Sequence, residues 1–407
     1  PEVSALSPVL WAGTSYGAGN HSQARFRIEA AGLYEFRYGT TAGRYQFQVS
    51  SDPYIQKTVE APGTASYYLD AGSHAVMITQ DSSLGASWSL EIVATDAAND
   101  TLPLQGSGGY LGGAGNDFDQ EWWPLHLAAG ATANFELSLG GELADGLTVR
   151  LLQGGTAVYT SPMIYGGETF WWAADLVEGT SVVELTADGA NANPLSYDLA
   201  IHTVPAVAYG APHAWSGISK GMPAAGYSEI EVQMPVSGTY HVVLDMPHGF
   251  ATMQVAPVPS QVRSIQQAHI EFDIPLAEGG YLFRVLQSSS YVTTTWTATV
   301  SLKSALAPEI DAVSPASVPN DSAHTLTIDG ANFQPGAVVA VDGSTLSPVV
   351  RLGSTQLQAT LPAGFAPGLY DVTVTNPDAQ SATLPQALEV RLPIYRLYLP
   401  MIAQATP

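Results

Sequence analysis

The chain repeats one unit three times, and this repeat constrains the fold more than any other feature. A Leu-x-x-Gly step that introduces an alternating apolar run recurs at Leu69 to Gly72, Leu176 to Gly179 and Leu276 to Gly279. A second run follows each step and carries one aromatic residue, in turn Trp88, Tyr197 and Trp296. These residues lie 16, 18 and 17 positions after the glycine. The matching order and spacing predict three tandem copies of one domain of about 100 residues.

Short alternating runs predict β-structure throughout the chain. Segments such as 24–28, 34–38 and 45–49 alternate in polarity, are rich in β-branched and aromatic residues, and are bounded by Gly, Pro, Asn and Asp. Runs of this kind are typical of β-sandwiches. The best helical candidate, residues 261–268, fits a polar loop equally well. We therefore predict an all-β protein built from tandem β-sandwiches.

The repeat and three short proline-bearing linkers divide the chain into six segments. The linkers are residues 96–103, 204–212 and 306–308, and their prolines favour a semi-rigid arrangement of domains. The predicted segments are an N-terminal arm (1–7), repeat 1 (8–97), repeat 2 (98–205), repeat 3 (206–305), a fourth domain (306–390) and an apolar C-terminal tail (391–407).

Composition excludes several classes of partner. The 13 Lys and Arg residues face 36 Asp and Glu residues, a formal net charge of −23, and no basic cluster interrupts this balance. Nucleic acids and anionic membrane surfaces require clustered basic residues, so we predict neither as a partner. No apolar run approaches the roughly 18 residues that a membrane-spanning helix needs. Charged residues make up only 12% of the chain, which favours a weakly charged exterior that packs against copies of itself.

The chain contains no cysteine, which excludes disulfides, zinc-thiolate sites and thiol nucleophiles. It begins at Pro1 without a basic and apolar leader, so we interpret it as the processed product of an exported precursor. The expected location is extracellular or at a bacterial cell surface. Asn20, Asn99 and Asn320 begin Asn-x-Ser/Thr triplets and are candidate glycosylation sites.

Residues 8–304 resemble three tandem bacterial pre-peptidase C-terminal domains. The resemblance rests on strands that begin Gly-x-Tyr (Gly32 and Tyr34, Gly238 and Tyr240), on the Leu-x-x-Gly step and on the closing aromatic run. The second repeat departs from the pattern because it lacks Gly-x-Tyr. The resemblance implies a jelly-roll-like β-sandwich for each repeat, of a kind appended to many secreted proteins.

Residues 307–390 carry a different ordered set of motifs. The set is Pro308-Glu309-Ile310, Val313-Ser314-Pro315, Gly330-Ala331-Asn332-Phe333, Val341-Asp342-Gly343, Leu361-Pro362 and Gly368-Leu369-Tyr370-Asp371-Val372. This succession resembles the IPT/TIG domain. The resemblance implies an immunoglobulin-like sandwich, common in cell-surface proteins and as an accessory domain of secreted enzymes.

Catalytic patterns are weak. Residues 13–17 and 217–221 match G-x-S-x-G, but the motif works where a strand turns sharply into a helix, and here it recurs at one position of an all-β repeat. The nine histidines form neither H-x-H nor H-E-x-x-H. We predict that the chain is not an enzyme.

One acidic segment is a candidate calcium site. Asp117, Asp119 and Glu121 alternate, so an extended backbone directs their carboxylates to one side. The segment lacks the spacing of an EF-hand, and a solvated acidic loop is the alternative.

Two pairs of adjacent tryptophans are candidate contact residues. They are Trp122 and Trp123, and Trp171 and Trp172. Adjacent strand residues face opposite sides of a sheet, so at most one of each pair belongs to the core. The outward ring is expected to pack against a neighbouring domain or subunit, or to stack on a cell-surface glycan.

The C-terminal tail is a candidate intersubunit strand. Tyr395, Leu397, Leu399 and Met401 alternate beyond the last strand predicted for the fourth domain. An apolar strand left free is prone to aggregation, so we expect it to pair with the sheet of a neighbouring copy. The alternative is that it folds back onto its own fourth domain.

These observations favour a secreted structural subunit of a bacterial cell-surface assembly, such as a filament, sheath or layer, in which copies associate through chain termini and domain surfaces. One alternative is an adhesin or glycan-binding surface protein. Another is the non-catalytic C-terminal part of a larger secreted hydrolase. No cofactor other than the candidate calcium is expected.

Overall fold

The computed structural model describes residues 2–3, 8–15, 21–80, 86–112, 120–142, 144–207, 211–220, 227–249, 251–257, 262–265, 269–287 and 293–393. All regular structure in these ranges is β-strand, which confirms the all-β prediction. Residues 262–265 of the helical candidate form a strand. Within the ranges above, no helix is long and apolar enough to cross a bilayer.

Two sandwiches precede the middle of the chain. The strands of the first are β1 (Glu2–Val3), β2 (Val9–Ser15), β3 (His21–Ile28), β4 (Gly32–Ala42), β5 (Tyr45–Val49), β6 (Gln56–Val59), β7 (Gly63–Leu69), β8 (Gly72–Gln80) and β9 (Ala86–Ala94). Those of the second are β10 (Leu104–Leu111), β11 (Gln120–Leu127), β12 (Ala131–Gly140), β13 (Gly146–Gln153), β14 (Thr156–Thr160), β15 (Ile164–Tyr165), β16 (Thr169–Leu176), β17 (Gly179–Ala187) and β18 (Leu195–Thr203).

A third sandwich and the fourth domain follow. The third contains β19 (His213–Lys220), β20 (Tyr227–Met234), β21 (Gly238–Asp245), β22 (Ala251–Ala256), β23 (Val262–Ile265), β24 (His269–Leu276), β25 (Gly279–Gln287) and β26 (Thr293–Ala305). The fourth domain contains β27 (Glu309–Ser314), β28 (Ser317–Pro319), β29 (His324–Ala331), β30 (Val338–Val341), β31 (Ser344–Thr345), β32 (Val349–Gly353), β33 (Gln356–Leu361), β34 (Gly368–Thr375) and β35 (Ser381–Arg391).

The three sandwiches share one strand order. Their first sheets are β2-β9-β4-β7, β10-β18-β12-β16 and β19-β26-β21-β24, and their second sheets are β3-β8-β5-β6, β11-β17-β13-β14 and β20-β25-β22-β23. With β1, which pairs with β3, and β15, which pairs with β13, left out of the numbering, these are strands one, eight, three and six of each repeat against strands two, seven, four and five. This two-sheet arrangement of eight strands is the jelly roll, which confirms the predicted fold class.

The Leu-x-x-Gly step recurs because the turn between the sixth and seventh strands needs a glycine. Gly72, Gly179 and Gly279 have φ values of 145°, 91° and 143°. Residues with a Cβ atom rarely adopt this region, whereas glycine enters it without steric penalty.

The aromatic residue of the eighth strand lies over a glycine of the first strand. Trp88 pairs with Gly13, Tyr197 with Gly108 and Trp296 with Gly217. A Cβ atom added to these glycines would lie 2.8, 2.5 and 2.4 Å from the aromatic side chain. The ring occupies the space of the missing side chain, which explains why aromatic residue and glycine recur together.

The Gly-x-Tyr motif marks a tyrosine corner, in which the hydroxyl donates to a carbonyl four residues upstream. The bonds run from Tyr34 to Ala30 (2.6 Å), from Tyr240 to Val236 (2.7 Å) and, in the fourth domain, from Tyr370 to Ala366 (2.7 Å). In the second sandwich, strand pairing places Ala133 at this position.

Each sandwich buries its own core, yet two of the sheets are continuous across a domain boundary. The cores contain Phe36 and Phe47, Phe135 and Trp172, Tyr240 and Trp296, and Phe333 in chain order. One eight-stranded sheet joins the second and third sandwiches, because β16 pairs with β19 at Thr169 and Ile218. The fourth domain consists of the sheets β27-β29-β33-β32 and β28-β35-β34-β30-β31, and β28 runs parallel to β35.

Candidate functional site

A cleft separates the first and second sandwiches. Its volume is about 560 Å³; residues 63–67 of β7 and residues 104–108 of β10 form two of its walls, and residues of β6 and β11 line it as well. Both strands are the last in their sheets among the residues that the structure describes. We call this space the interdomain cleft.

A buried ion pair joins the two sandwiches at the cleft. Lys57 on β6 places Nζ 2.6 Å from Oε1 of Glu121 on β11, and the side chains are only 7% and 4% exposed. The same ammonium donates to the carbonyl oxygen of Ser107 at 2.9 Å. Because both charges are withdrawn from water, each depends on the other for compensation. The pair therefore fixes how these two domains meet.

Aromatic rings surround this ion pair. Lys57 Nζ lies 5.1 Å from the ring centroid of Trp123 and 5.8 Å from that of Tyr197, which is within the range of cation–π attraction. The Trp123 indole N–H donates to the Tyr197 hydroxyl at 2.5 Å. Burial, followed by the charge of Glu121, raises the pKa of Tyr197 well above its usual value.

Trp123 fills a position that the other sandwiches fill from their first strand. A Cβ atom on Gly106 would lie 1.8 Å from the Trp123 ring. In the strand pairing, Gly106 occupies the place of Trp11 and Trp215 in the other sandwiches. The second repeat thus replaces an inward tryptophan on the first strand with one on the second, which brings the ring next to Lys57.

Trp122 lies on the other side of β11. Its indole N–H donates to Oε2 of Glu184 at 3.3 Å, and its ring meets Tyr54 of the first sandwich edge-on at 6.5 Å. Arg150 binds the same carboxylate through two nitrogens, at 2.7 and 2.8 Å. Burial opposes ionisation of Glu184, but the bonds from Arg150 and Trp122 bring its pKa below the usual range.

Two carboxylates line the cleft beside the ion pair. Oε1 of Glu60 is buried and accepts no hydrogen bond from the described residues, and Arg44 Nη1 lies 3.7 Å away. Burial raises the pKa of Glu60 to about 7, against the opposing charge of Arg44. Burial also raises the pKa of Asp100, whose Oδ2 accepts the backbone N–H of His126 at 2.7 Å. Carboxylates, hydroxyl groups and strand edges suit the binding of a hydrogen-bonding ligand.

The second tryptophan pair lies at the next boundary. Trp171 donates its indole N–H to the carbonyl of Ser216 at 2.8 Å, stacks on His202 at 5.3 Å and packs against the core of the third sandwich. Trp172 is fully buried in the core of the second sandwich. The adjacent rings thus face opposite sides of β16.

Asn134 also bridges the second and third sandwiches. Its Nδ2 donates to the carbonyl of Glu231 at 2.8 Å, and its Oδ1 accepts the N–H of the same residue at 2.7 Å. Asn134 is 2% exposed. The linker contributes two backbone hydrogen bonds. The N–H of Val207 donates to the carbonyl of Gln233, and the N–H of Gln233 donates to the carbonyl of Pro205.

The candidate calcium ligands are only partly described. Glu121 is committed to Lys57, a cation of the chain itself, whereas Asp117 and Asp119 lie outside the described residues. No group of three or more His, Asp or Glu residues within the described ranges is arranged to hold a metal ion. A calcium site at Asp117, Asp119 and Glu121 stays a prediction.

The remaining candidates divide in the same way. Tyr395, Leu397, Leu399 and Met401 of the tail and the glycosylation candidate Asn20 lie outside the described residues. Asn99 is half-buried in the linker. Asn320 donates its side-chain amide to the carbonyl of Phe365 at 3.2 Å. Glycosylation at Asn320 would replace one of the two hydrogens on the nitrogen that makes this bond.

The G-x-S-x-G serines lie on strands. Ser15 ends β2, and Ser219 on β19 accepts the indole N–H of Trp296 at 3.0 Å. The first glycine of each motif is the one covered by the eighth-strand ring. The motif therefore arises from the pairing of a glycine with an aromatic residue across two strands, and it does not mark the turn that holds a nucleophile.

Sequence analysis missed Lys57 and Glu60. Lys57 is 64 positions from Glu121, in a different repeat, and no local pattern links the two. The available signal was the absence of an opening tryptophan in the second repeat, where Gly106 stands.

Comparison with known proteins is informative for the fourth domain. No curated protein matches the chain. A structure from the Sulfolobus turreted icosahedral virus aligns at 9% identity and a TM-score of 0.26, over 74% of this chain and 91% of the other. A triple-jelly-roll structure from an archaeal virus aligns at 9% identity and a TM-score of 0.28, over 72% and 88%. Neither alignment bears on what this chain does. The family model of the IPT/TIG domain matches residues 308–390, which confirms the IPT/TIG resemblance of this part of the chain.

Proposed function

We propose that the chain is a secreted structural subunit of a bacterial cell-surface assembly, such as a filament, sheath or layer. The observation that carries this proposal is the way consecutive jelly rolls are joined. A buried ion pair connects the first and second sandwiches, and a continuous sheet connects the second and third. Contacts of this kind hold the orientation of neighbouring domains. A structural subunit of an assembly needs a fixed orientation, whereas flexibly tethered binding domains do not need one.

The surface composition supports self-association. Only 12% of residues are charged, although the formal net charge of −23 opposes association at low ionic strength. A surface covered mainly by small polar groups packs against copies of itself with little desolvation of charge. The apolar tail supplies a segment that is able to add to the edge of a neighbouring sheet.

The test is the association state of the full chain. Light scattering coupled to size-exclusion chromatography and negative-stain electron microscopy are expected to give concentration-dependent, regular polymers. A chain ending at residue 390 is expected to remain folded and monomeric. If the full chain stays monomeric across the accessible concentrations and ionic strengths, the proposal is wrong.

The two other functions have less support. For an adhesin that uses the tryptophans, the indole N–H groups of Trp122, Trp123 and Trp171 are already bonded within the chain. For a part of a secreted hydrolase, the argument is the resemblance to IPT/TIG and pre-peptidase C-terminal domains, and the latter stays a prediction. A glycan array tests the first function, and the sequence of the complete gene tests the second.

A further inference from the structure

Equivalent strands meet differently at two boundaries. At the boundary of the second and third sandwiches, the sixth strand of one repeat (β16) pairs with the first strand of the next (β19). At the boundary of the first and second sandwiches, the corresponding strands are β7 and β10. They do not pair in the described part of the chain, and the interdomain cleft lies between them.

The β7 and β10 walls of the cleft are open strand edges. The carbonyl of Ser107 accepts a hydrogen bond from Lys57 of the first sandwich, so it points away from β18 and toward the cleft. Successive residues of a strand direct their backbone groups to alternate sides, so the groups of Gln105 point the same way. An extended segment lying between β7 and β10 would give the backbone groups of Gln105 hydrogen-bond partners and make the sheets continuous, as they are at the next boundary.

The tail of the chain matches the cleft in length and pattern. Residues 394–399 lie between Pro393 and Pro400, and each of the six has a backbone N–H donor. An extended backbone would place Tyr395, Leu397 and Leu399 on one face. Six extended residues span about 20 Å, close to the length of the two five-residue walls. A segment interrupted by proline on both sides is restricted to short pairing of this kind.

The charges are complementary as well. Residues 392–407 contain Arg396 and no acidic residue, although acidic residues predominate in the whole chain, whereas Arg391 belongs to β35 and lies 3.5 Å from Glu389. The cleft presents Asp100 and Glu60, with Arg44 3.7 Å from Glu60, and the charge of Lys57 is already compensated by Glu121. The opposite charges favour binding of this segment in the cleft over binding of an acidic part of the chain's surface.

We propose that the interdomain cleft is the acceptor groove for residues 392–402 of a second copy of the chain, which add as an extended strand between β7 and β10. This inference rests on the proposed function and names the site through which copies connect. Each subunit has one groove and one tail, so the contact is head-to-tail and repeats along a row.

The first test is the binding of a labelled synthetic peptide of residues 392–402 to a chain that ends at residue 390, measured by fluorescence anisotropy. Thr64 is exposed on the cleft wall, so its substitution leaves the core intact. Thr64→Arg is expected to weaken binding by roughly tenfold, and Thr64→Asp to strengthen it, because the peptide carries one arginine and no acidic residue. Thr325→Arg, at an exposed position of β29, changes the net charge equally and is expected to have no effect.

The second test uses the absence of cysteine in the chain. A tagged chain that ends at residue 390 and carries Thr64→Cys is mixed with a full-length chain that carries Tyr398→Cys, and disulfide-linked pairs are resolved on non-reducing gels. Val350→Cys, on the exposed edge strand β32 of the fourth domain, is the matched control acceptor. Cross-linking at position 64 but not at 350 supports the groove. Equal cross-linking at both, or cross-linking at 350 alone, overturns it.

The outcomes separate this inference from the proposed function. If the full chain polymerises but the Thr64 variants do not change peptide affinity, the assembly stands and the groove is wrong. If the full chain is monomeric but the peptide binds with the expected charge dependence, the cleft binds this segment but does not connect copies, so both the contact between copies and the assembly are wrong. A disulfide formed within one full-length chain that carries both cysteines, and absent between chains, contradicts a contact between copies.

Discussion

The first and second sandwiches meet through charge, whereas the second and third meet through backbone and neutral side chains. The first boundary depends on Lys57 and Glu121, supported by a ring stack between Tyr68 and His126 at 3.7 Å. The second depends on strand pairing at Thr169 and on the amide of Asn134. Identical folds are therefore joined by two different kinds of contact.

The difference teaches what decides whether neighbouring sheets fuse. At the first boundary both β6 and β7 of the first sandwich contact β11 of the second, whereas β7 and β10 do not pair with each other in the described part of the chain. At the second boundary Trp171 packs directly on the next core, and the edges join. In the buried pair at the first boundary each charge depends on its one partner for compensation. The unpaired edges of β7 and β10 lie beside that pair.

The largest expected effect is the loss of one member of the ion pair. Lys57→Met leaves Glu121 charged and buried without compensation, and we expect it to reduce the free energy of unfolding of the first two sandwiches by about 3–5 kcal/mol. The measurement is differential scanning calorimetry with transitions assigned by domain, together with the rate of proteolysis in the linker 96–103.

The double variant Lys57→Met with Glu121→Leu is the control. It removes both charges at once, so most of the loss is expected to be recovered, since a buried ion pair is often no more stabilising than an apolar pair of similar size. If the double variant is as unstable as Lys57→Met alone, the stability of this boundary does not come from charge compensation.

A smaller effect is expected from the neutral bridge at the second boundary. Asn134→Ala leaves the N–H and carbonyl of Glu231 without their partners, which costs about 1–3 kcal/mol when such groups are buried. Asn134→Asp keeps one bond and places a carboxylate against a carbonyl oxygen, so it is expected to be at least as destabilising. Urea unfolding of the second and third sandwiches measures both. Asn134→Ala changes no charge, so its effect should not respond to salt.

The fold could be predicted from the sequence because its determinants are local. The positive φ of Gly72, Gly179 and Gly279 requires glycine, and the ring of Trp88 requires its opposite residue to be small. Both constraints leave a mark at a fixed spacing. Because the domain occurs three times, both spacings occur three times in the sequence, and this repetition distinguishes them from chance.

The cleft could not be predicted because its determinants are single and distant. Glu121 alternates with Asp117 and Asp119, and that local pattern indicated calcium, whereas the partner found in the structure is a lysine of the preceding repeat. The tryptophan pairs marked both boundaries, but nothing in them distinguished an open boundary from a fused one. That distinction depends on how two sheets approach each other in space.

A pH-dependent effect is expected from Glu60 in the cleft. Burial raises its pKa to about 7, so between the ordinary value and pH 7 the folded protein binds a proton that the unfolded chain has released. Its contribution is therefore present at low pH and lost as the pH rises through 7. Glu60→Gln should remove this loss, which we place at about 1–2 kcal/mol because the side chain is 28% exposed.

The measurement compares the thermal stability of Glu60→Gln and the parent chain from pH 4.5 to pH 8. The two curves should converge at the acid end, separate between the ordinary pKa of a glutamate and pH 7, and keep a constant separation above neutrality, with the variant more stable. All other titrating groups are common to both chains and cancel in the difference. Parallel curves would show that Glu60 titrates normally in the folded chain.

The smallest effect is expected at the joint between the third sandwich and the fourth domain, which extends the comparison to a half-exposed charge contact. Arg351 Nη2 lies 2.7 Å from Oε2 of Glu278, with side chains 20% and 32% exposed, and its Nε donates to the carbonyl of Phe333 at 2.8 Å. Glu278→Gln removes the charge pair alone and should lower stability by about 0.2–1 kcal/mol, an effect that salt reduces. Arg351→Met removes the second bond as well and should exceed it. Cleavage rates in the linker 306–308 measure both. A Glu278→Gln effect as large as that of Lys57→Met would contradict the view that burial, and not charge itself, sets the strength of the first boundary.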